Sequence, residues 1–89
     1  MTFPEKLQQI RIHHNLTQEQ IAEKLGVSRQ TIHRWEKGQS MPDLERLLLI
    51  SEIFSVSIDY LLNDKLDNPI GKLTDYQTLK LVFLLSNIL

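Results

Sequence analysis

Thr17 to Gln39, TQEQIAEKLGVSRQTIHRWEKGQ, holds two short helical patterns joined through Leu25-Gly26-Val27, and its reading decides the fold. At about 100° per residue, Ile32, Trp35 and the methyl-bearing Thr31 fall on one arc of the second pattern, while Arg29, Gln30, His33, Arg34 and Lys37 occupy the opposite arc. One side is apolar and the other is rich in hydrogen-bond donors. Gly26 can adopt the left-handed conformation that ends the first helix without a side-chain penalty. Ser28 can then accept from the free N–H groups that open the second. Upstream, Thr17 and Gln20 form a capping-box pattern. Ile21, Ala22, Leu25, Val27, Ile32 and Trp35 supply the shared apolar contact that sets the angle between the helices, which makes the stretch a helix-turn-helix.

The flanking sequence supplies the rest of a domain. Thr2 and Glu5 make another capping box with Pro4 in the permissive first turn, and Leu7 and Ile10 start an apolar stripe that runs to about His14. Asn15 stands where that helix must stop, and asparagine tolerates a left-handed cap better than most residues. Beyond the third helix, ended by Gly38, the run Ser40-Met41-Pro42-Asp43 is a helix-start signal, with Pro42 suited to the first turn and Ser40 or Asp43 able to cap. Leu44, Leu47, Leu48, Ile50, Ile53 and Phe54 cover more than one side, so the fourth helix is expected to be a central packing helix. Ser57 caps a short fifth helix through Leu62, burying Ile58, Leu61 and Tyr60. The expectation is an all-α domain of five helices over residues 1–64, with the helix-turn-helix at about 17–38.

Residues 65–73 read as a connector, broken by Asn68-Pro69 and Gly71. Thr74 and Gln77 then open an additional C-terminal helix, 74–89, through which Tyr76, Leu79, Leu81, Val82, Phe83, Leu84, Leu85, Ile88 and Leu89 are distributed. That is too much apolar surface, on too many sides, for a helix facing water. It requires a partner surface, and Leu79, Val82, Phe83, Leu85 and Ile88 are the expected contacts.

Composition narrows the class. Eighty-nine residues make one small domain, a size at which association often supplements the core. Cysteine is absent, which excludes a disulfide framework and thiolate chemistry and fits a cytoplasmic protein. The first residues, MTFPEKLQQI, lack the pattern of a secretion signal, and the apolar stretch from Leu79 is shorter than the ~20 residues that a membrane-spanning helix needs. The net charge of −1 argues at first against a nucleic-acid ligand. It is unevenly distributed, however: residues 1–40 carry six Lys or Arg against four Glu, and residues 41–89 carry four against seven acids. A local basic face is what matters for DNA, and here it coincides with the outer arc of the third helix.

The series Gln18-x-x-Ile-Ala-x-x-Leu-Gly-Val-Ser-x-x-Thr-Ile-x-x-Trp-Glu-x-Gly38 resembles the lambda-repressor-like (XRE) helix-turn-helix family of phage and bacterial regulators. The likeness runs from about Phe3 to about Leu62, taking in Pro42 and the segment Phe54-Ser-Val-Ser-Ile-Asp-Tyr-Leu-Leu62. It implies a five-helix DNA-binding domain whose third helix lies in the major groove of double-stranded DNA. Arg29, Gln30 and Arg34, with His33 beside them, match the positions that reach base edges. Arginine favours the acceptor pair of guanine and glutamine the donor–acceptor pair of adenine. Gln18 would hold a phosphate at a helix N-terminus, and Ser28, Thr31, Lys37, Gln39 and Ser40 would likewise contact the backbone and position the domain. Arg11 and Glu36 match a partly buried ion pair of the family; independently, Glu36 lies at the border between the two arcs. Two positions depart from the family pattern. Asn15 replaces a common glycine, and His33 stands where small or acidic residues are frequent, so that an imidazole there would read a guanine or a phosphate.

Competing readings of single residues are weaker. Trp35 shares its arc with Ile32 and belongs to the core rather than to a stacking platform. Neighbouring His13 and His14 point about 100° apart on a helix, with no acidic or thiol cluster to complete a metal site. Asp59, Asp64, Asp67 and Asp75 read as caps and solubility charges. No metal, no cofactor and no enzymatic activity is expected: there is no cysteine, no glycine-rich phosphate loop and little length from which to build a pocket. The expected function is a transcriptional regulator, a repressor acting as a homodimer on a pseudo-palindromic operator. The alternative is an antitoxin-like module whose C-terminal helix covers a protein partner, and the sequence also leaves open that this helix folds back on its own domain.

Overall fold

Each helix starts on a side-chain oxygen that the sequence places at its first turn. The computed structural model describes residues 1–67, and in it the order is α1 (Phe3–His13), α2 (Gln18–Leu25), α3 (Arg29–Glu36), α4 (Leu44–Phe54) and α5 (Ile58–Leu62). The Gln20 N–H donates to Thr17 Oγ1 at 3.1 Å while the Thr17 N–H donates to Gln20 Oε1 at 2.8 Å, closing a reciprocal box. Ser28 Oγ accepts from the Thr31 N–H at 3.2 Å, Asp43 Oδ1 from Arg46 at 2.9 Å, and Ser57 Oγ from Tyr60 at 2.9 Å. At α1, the Thr2 hydroxyl donates to Glu5 Oε1 at 2.9 Å and its backbone N–H reaches the same oxygen at 3.4 Å. These two donors hold the Glu5 carboxyl below its ordinary value, because they favour the ionised form.

Four of the five helices stop where the chain turns left-handed, whereas α5 ends at Asn63 in extended backbone. Gly26 and Gly38 have φ of +67° and +71°, and Asn15 and Ser55 adopt +56° and +54° despite their side chains. The turn at Gly26 is open enough that an added Cβ would meet nothing within 4 Å, so the glycine is required by its backbone angle rather than by crowding.

The core gathers one side of every helix. Phe3, Leu7 and Ile10 of α1, Ile21, Ala22 and Leu25 of α2, and Ile32 and Trp35 of α3 meet Leu47, Ile50 and Phe54 of α4 and Val56, Tyr60 and Leu61 around α5. Leu16, Val27 and Leu49 close its edges. Full burial of an aliphatic or aromatic side chain stabilises by roughly 1.5–3 kcal/mol, and this one cluster draws on all five helices.

Three details differ from the sequence reading. The fourth helix is not buried on every side: Leu47, Ile50, Ser51 and Phe54 face inward, whereas Leu44 and Ile53 are 67% and 40% exposed. The helical repeat places 47, 50, 51 and 54 on one face, and the buried Ser51 is accommodated because its hydroxyl donates to the Val56 carbonyl at 2.6 Å. Pro42 lies before the N-cap and not in the first turn, and Asp43 rather than Ser40 is the cap. Lys6 is fully buried. Its ammonium donates to the backbone carbonyls of Tyr60 and, at 2.8 Å, Asn63, and sits 4.5 Å from the centre of the Tyr60 ring. A cation thereby satisfies the carbonyls at the C-terminal end of α5. Burial of Tyr60 in turn pushes its phenol above the ordinary value. Residues 68–73 of the expected connector and the whole segment 74–89, with Leu79, Val82, Phe83, Leu85 and Ile88, lie outside the described residues.

Candidate nucleic-acid interface

The interface is built on a helix that its own core side holds still. Ile32 is fully buried and Trp35 is 4% exposed, so α3 is fixed against α1 and α2 by its largest apolar groups. Half a turn away, Arg29, Gln30, His33 and Arg34 are exposed and line one shallow open concavity. The four residues assigned to base contacts thus share one outward surface.

The chain then turns without leaving that side. The Gly38 N–H donates to the Trp35 carbonyl at 3.2 Å and the Gln39 N–H to the Arg34 carbonyl at 2.9 Å, a closure that needs the left-handed Gly38. Lys37, Gln39 and Ser40 follow as exposed residues. At the other end of α3, Ser28 Oγ and Thr31 Oγ1 are 2.9 Å apart, so both hydroxyls serve the cap and each keeps lone pairs or a proton for a further partner.

Behind this surface stands a charged brace. Arg11 Nε donates to Glu36 Oε2 at 2.7 Å and Arg11 Nη2 to Glu36 Oε1 at 3.1 Å, with side-chain exposures of 15% and 3%. Arg11 Nη1 also donates to the Leu16 carbonyl at 3.1 Å, which ties the turn after α1 into the same unit. Gln18 Nε2 donates to Glu36 Oε1 at 3.3 Å. The sequence reading placed Gln18 on a phosphate and did not connect it to Glu36. The available signal was weak, since the two residues are eighteen positions apart and meet only because α2 and α3 cross here. Gln18 retains a second N–H, which leaves it able to donate outward.

Electrostatically, the face is free to act on a ligand. Among the described residues, no ion pair engages Arg29, Arg34 or Lys37. Exposed guanidinium and amide groups on a rigid helix can donate in pairs to base edges, and an unpaired ammonium beside them can neutralise phosphate. No cluster of histidine and acidic residues suited to a metal ion occurs among the described residues, and none of their helices is long and apolar enough to cross a membrane.

Two capped helices across a glycine turn, the second presenting donors outward, define a helix-turn-helix domain of the kind that reads DNA. Comparison with known proteins places it more narrowly. Residues 7–61 match the family model described as helix-turn-helix. Over 63 residues, 71% of this chain and 31% of the relative, the sequence is 57% identical to the HTH-type transcriptional activator BcrR of Enterococcus faecalis. Among solved structures, the P22 c2 repressor in complex with a synthetic operator superposes with a TM-score of 0.67 at 30% identity, covering 71% of this chain and 96% of that one. A transcriptional regulator from Listeria innocua superposes with a TM-score of 0.67 at 31% identity, covering 99% and 78%. The chain belongs to the helix-turn-helix family of DNA-binding transcriptional regulators, of the XRE, lambda-repressor-like type. It spans about a third of the length of BcrR, so the likeness is one of domain.

Proposed function

We propose that the chain is a sequence-specific repressor of transcription, working in the cytoplasm as a homodimer whose two α3 helices enter successive major grooves about 34 Å apart on a pseudo-palindromic operator. The observation that carries this reading is the shared outward surface of Arg29, Gln30, His33 and Arg34 on a helix anchored by Ile32 and Trp35. In this reading those four residues meet base edges. Gln18, Ser28, Thr31, Lys37, Gln39 and Ser40 meet the phosphate backbone, and Arg11 with Glu36 keeps the helices in register for both. The P22 c2 repressor, similar over 71% of this chain, is a protein bound to operator DNA. Repression follows when the site overlaps a promoter. The C-terminal segment 74–89 supplies the dimer contact through Leu79, Val82, Phe83, Leu85 and Ile88.

The test is selection of bound sequences from a random duplex library, followed by a salt titration on the selected site. Binding that releases counterions falls as log affinity against log salt with a slope of about −0.9 per phosphate neutralised, so Arg29, Arg34 and Lys37 imply at most about −3 for one copy and about −5 for two. A symmetric consensus with a slope near the larger value is expected. A half-site consensus with a slope near the smaller one overturns the dimer, and weak binding without any consensus overturns sequence-specific regulation altogether.

A further inference from the structure

Away from the donor-rich face, the end of α1, the turn after α4 and α5 enclose a groove of about 430 Å³. Its floor is apolar, formed by Ile10, Phe54, Val56 and Tyr60, each of which also belongs to the core. Its rim is polar and carries His13, His14 and Asp67. His14 is fixed there: its Nδ1–H donates to the Ile10 carbonyl at 2.9 Å, and its ring stands edge-on to Phe54 at 4.9 Å. The volume falls within the range of sites that enclose a small ligand or a few apolar side chains, roughly 300–1,000 Å³.

We propose that this groove receives the C-terminal segment of the same chain, residues 74–89. The chain leaves the described residues at Asp67, and Asp67 is itself part of the rim. Asp67 is also held in place, because the Met1 ammonium donates to its Oδ1 at 2.9 Å and to the Asp64 carbonyl at 3.1 Å. The continuing sequence therefore starts at the mouth of the groove. Seven residue steps separate Asp67 from Thr74 and reach about 25 Å at most, and Pro69 and Gly71 suit a reversal of direction. Such a short tether gives the segment an effective concentration near its own groove of roughly millimolar, well above that of a second copy in dilute solution.

The sequence pattern also fits a segment needing two partners. On helical spacing Tyr76, Leu79, Val82 and Phe83 fall together, and Leu81, Leu84, Leu85 and Ile88 fall on the opposite side. One groove covers one such side. Tyr76, Leu79, Val82 and Phe83 come first after the connector and are assigned to the groove, which narrows the dimer contact proposed above to the other side, with Leu85 and Ile88. That last assignment rests on the dimer proposed above, whereas docking into the groove does not.

The chain has no cysteine, so an introduced pair reports proximity cleanly. His13 is exposed on the rim and can be replaced without opening the core. The full-length double variant His13→Cys/Phe83→Cys, oxidised at ~1 μM, is expected to form a disulfide within one chain in about a 1,000-fold excess over the product between chains, given a local concentration near millimolar. The control Gln30→Cys/Phe83→Cys places the first cysteine on the DNA-facing surface and is expected to give no such product. Disulfides between chains in the His13 pair would show that a second copy fills the groove and would overturn docking within the chain. Equal yields from His13 and Gln30 pairs, or none from either, would overturn docking altogether. Sedimentation of the parent and of a Leu85→Asp variant reads the dimer separately: a dimeric parent and a monomeric variant that still forms the intrachain disulfide support both assignments, whereas a parent that is already monomeric removes the dimer reading and leaves the groove assignment intact.

Discussion

Replacing Glu36 with alanine separates the role of the charged brace from that of the DNA-facing surface. The carboxylate is 3% exposed and accepts from Arg11 at 2.7 and 3.1 Å and from Gln18 at 3.3 Å. Alanine leaves the Arg11 guanidinium beneath the α1–α3 contact with only the Leu16 carbonyl as an acceptor. Removing one member of a buried pair costs about 3–5 kcal/mol, because the remaining charge stays desolvated. Arg11 is 15% exposed, so water can reach part of it and the lower end applies. In a domain of this size each kcal/mol lowers Tm by about 4–8 °C, so a loss of about 3 kcal/mol corresponds to roughly 12–24 °C. Thermal unfolding of the full chain followed by circular dichroism measures it directly. The double variant Arg11→Met/Glu36→Ala should be more stable than the sum of the single losses implies, with a coupling of at least ~1 kcal/mol. On selected DNA, Glu36→Ala should keep the base preference of the parent and bind all sequences more weakly, because Gln18 loses its anchor. A Tm within ~3 °C of the parent, against the 12–24 °C expected, together with an altered consensus, would refute the reasoning and return Glu36 to the recognition surface.

The other predictions follow from single contacts. Lys6→Met keeps the length of the stem but orphans the Tyr60 and Asn63 carbonyls, so the urea midpoint should fall by the equivalent of about 2–3 kcal/mol; an unchanged midpoint would mean that water replaces the ammonium. Ser55→Gly relieves a left-handed serine at φ +54° and should stabilise by about 0.5–1 kcal/mol, whereas Gly26→Ala, with open space but φ +67°, should destabilise by about 1–2 kcal/mol in the same denaturation assay. Arg34→Ala should relax one position of each half-site of the selected consensus by about 1–3 kcal/mol, while Lys37→Ala should weaken every sequence alike and reduce the salt slope by about 1 per copy, or about 2 for the proposed dimer. Glu5 is held below its ordinary value by Thr2, so its contribution is complete above about pH 4.5 and disappears as pH falls through the lowered value. Thr2→Val should therefore reduce the difference in stability between neutral and acid pH, and equal pH profiles would remove Thr2 as the cause.

What the sequence disclosed was mostly local. The caps at Thr17, Ser28 and Ser57 and the glycine turns at Gly26 and Gly38 depend on contacts within a few residues, so residue type and spacing suffice to find them. The outward surface of α3 was legible for the same reason, since helical periodicity alone separates Arg29, Gln30, His33 and Arg34 from Ile32 and Trp35. Contacts between distant segments were harder to read. Lys6 looks like a solvated lysine in an amphipathic pattern, and only the arrival of α5, more than fifty residues later, gives its ammonium two carbonyls. The exposure of Leu44 and Ile53 was missed because periodicity cannot tell a helix packed on all sides from one that carries extra leucines on its water side. Gln18 had a position in the family pattern but no visible partner until α2 crossed α3.

These corrections also change how the charge of the chain bears on recognition. Of the six cations in residues 1–40, Lys6 lies in the core and Arg11 is committed to Glu36, so neither contributes a free charge to the surface. Net charge by halves therefore overstated the basic character of the N-terminal part and understated how closely it is focused. Arg29, Arg34 and Lys37 stand within nine residues on one helix and its cap, unpaired among the described residues. With Lys24 of α2 they make four exposed cations in residues 1–40. In the proposed reading so few charges neutralise too little phosphate to hold one copy tightly at physiological salt, where binding without base readout lies at about 10⁻⁴–10⁻⁶ M. A domain so arranged gains affinity by doubling its contacts and its base readings together. In the proposed dimer, the few charges of one recognition surface and the apolar residues beyond Thr74 would serve one requirement, recognition by a small helix completed by a second copy.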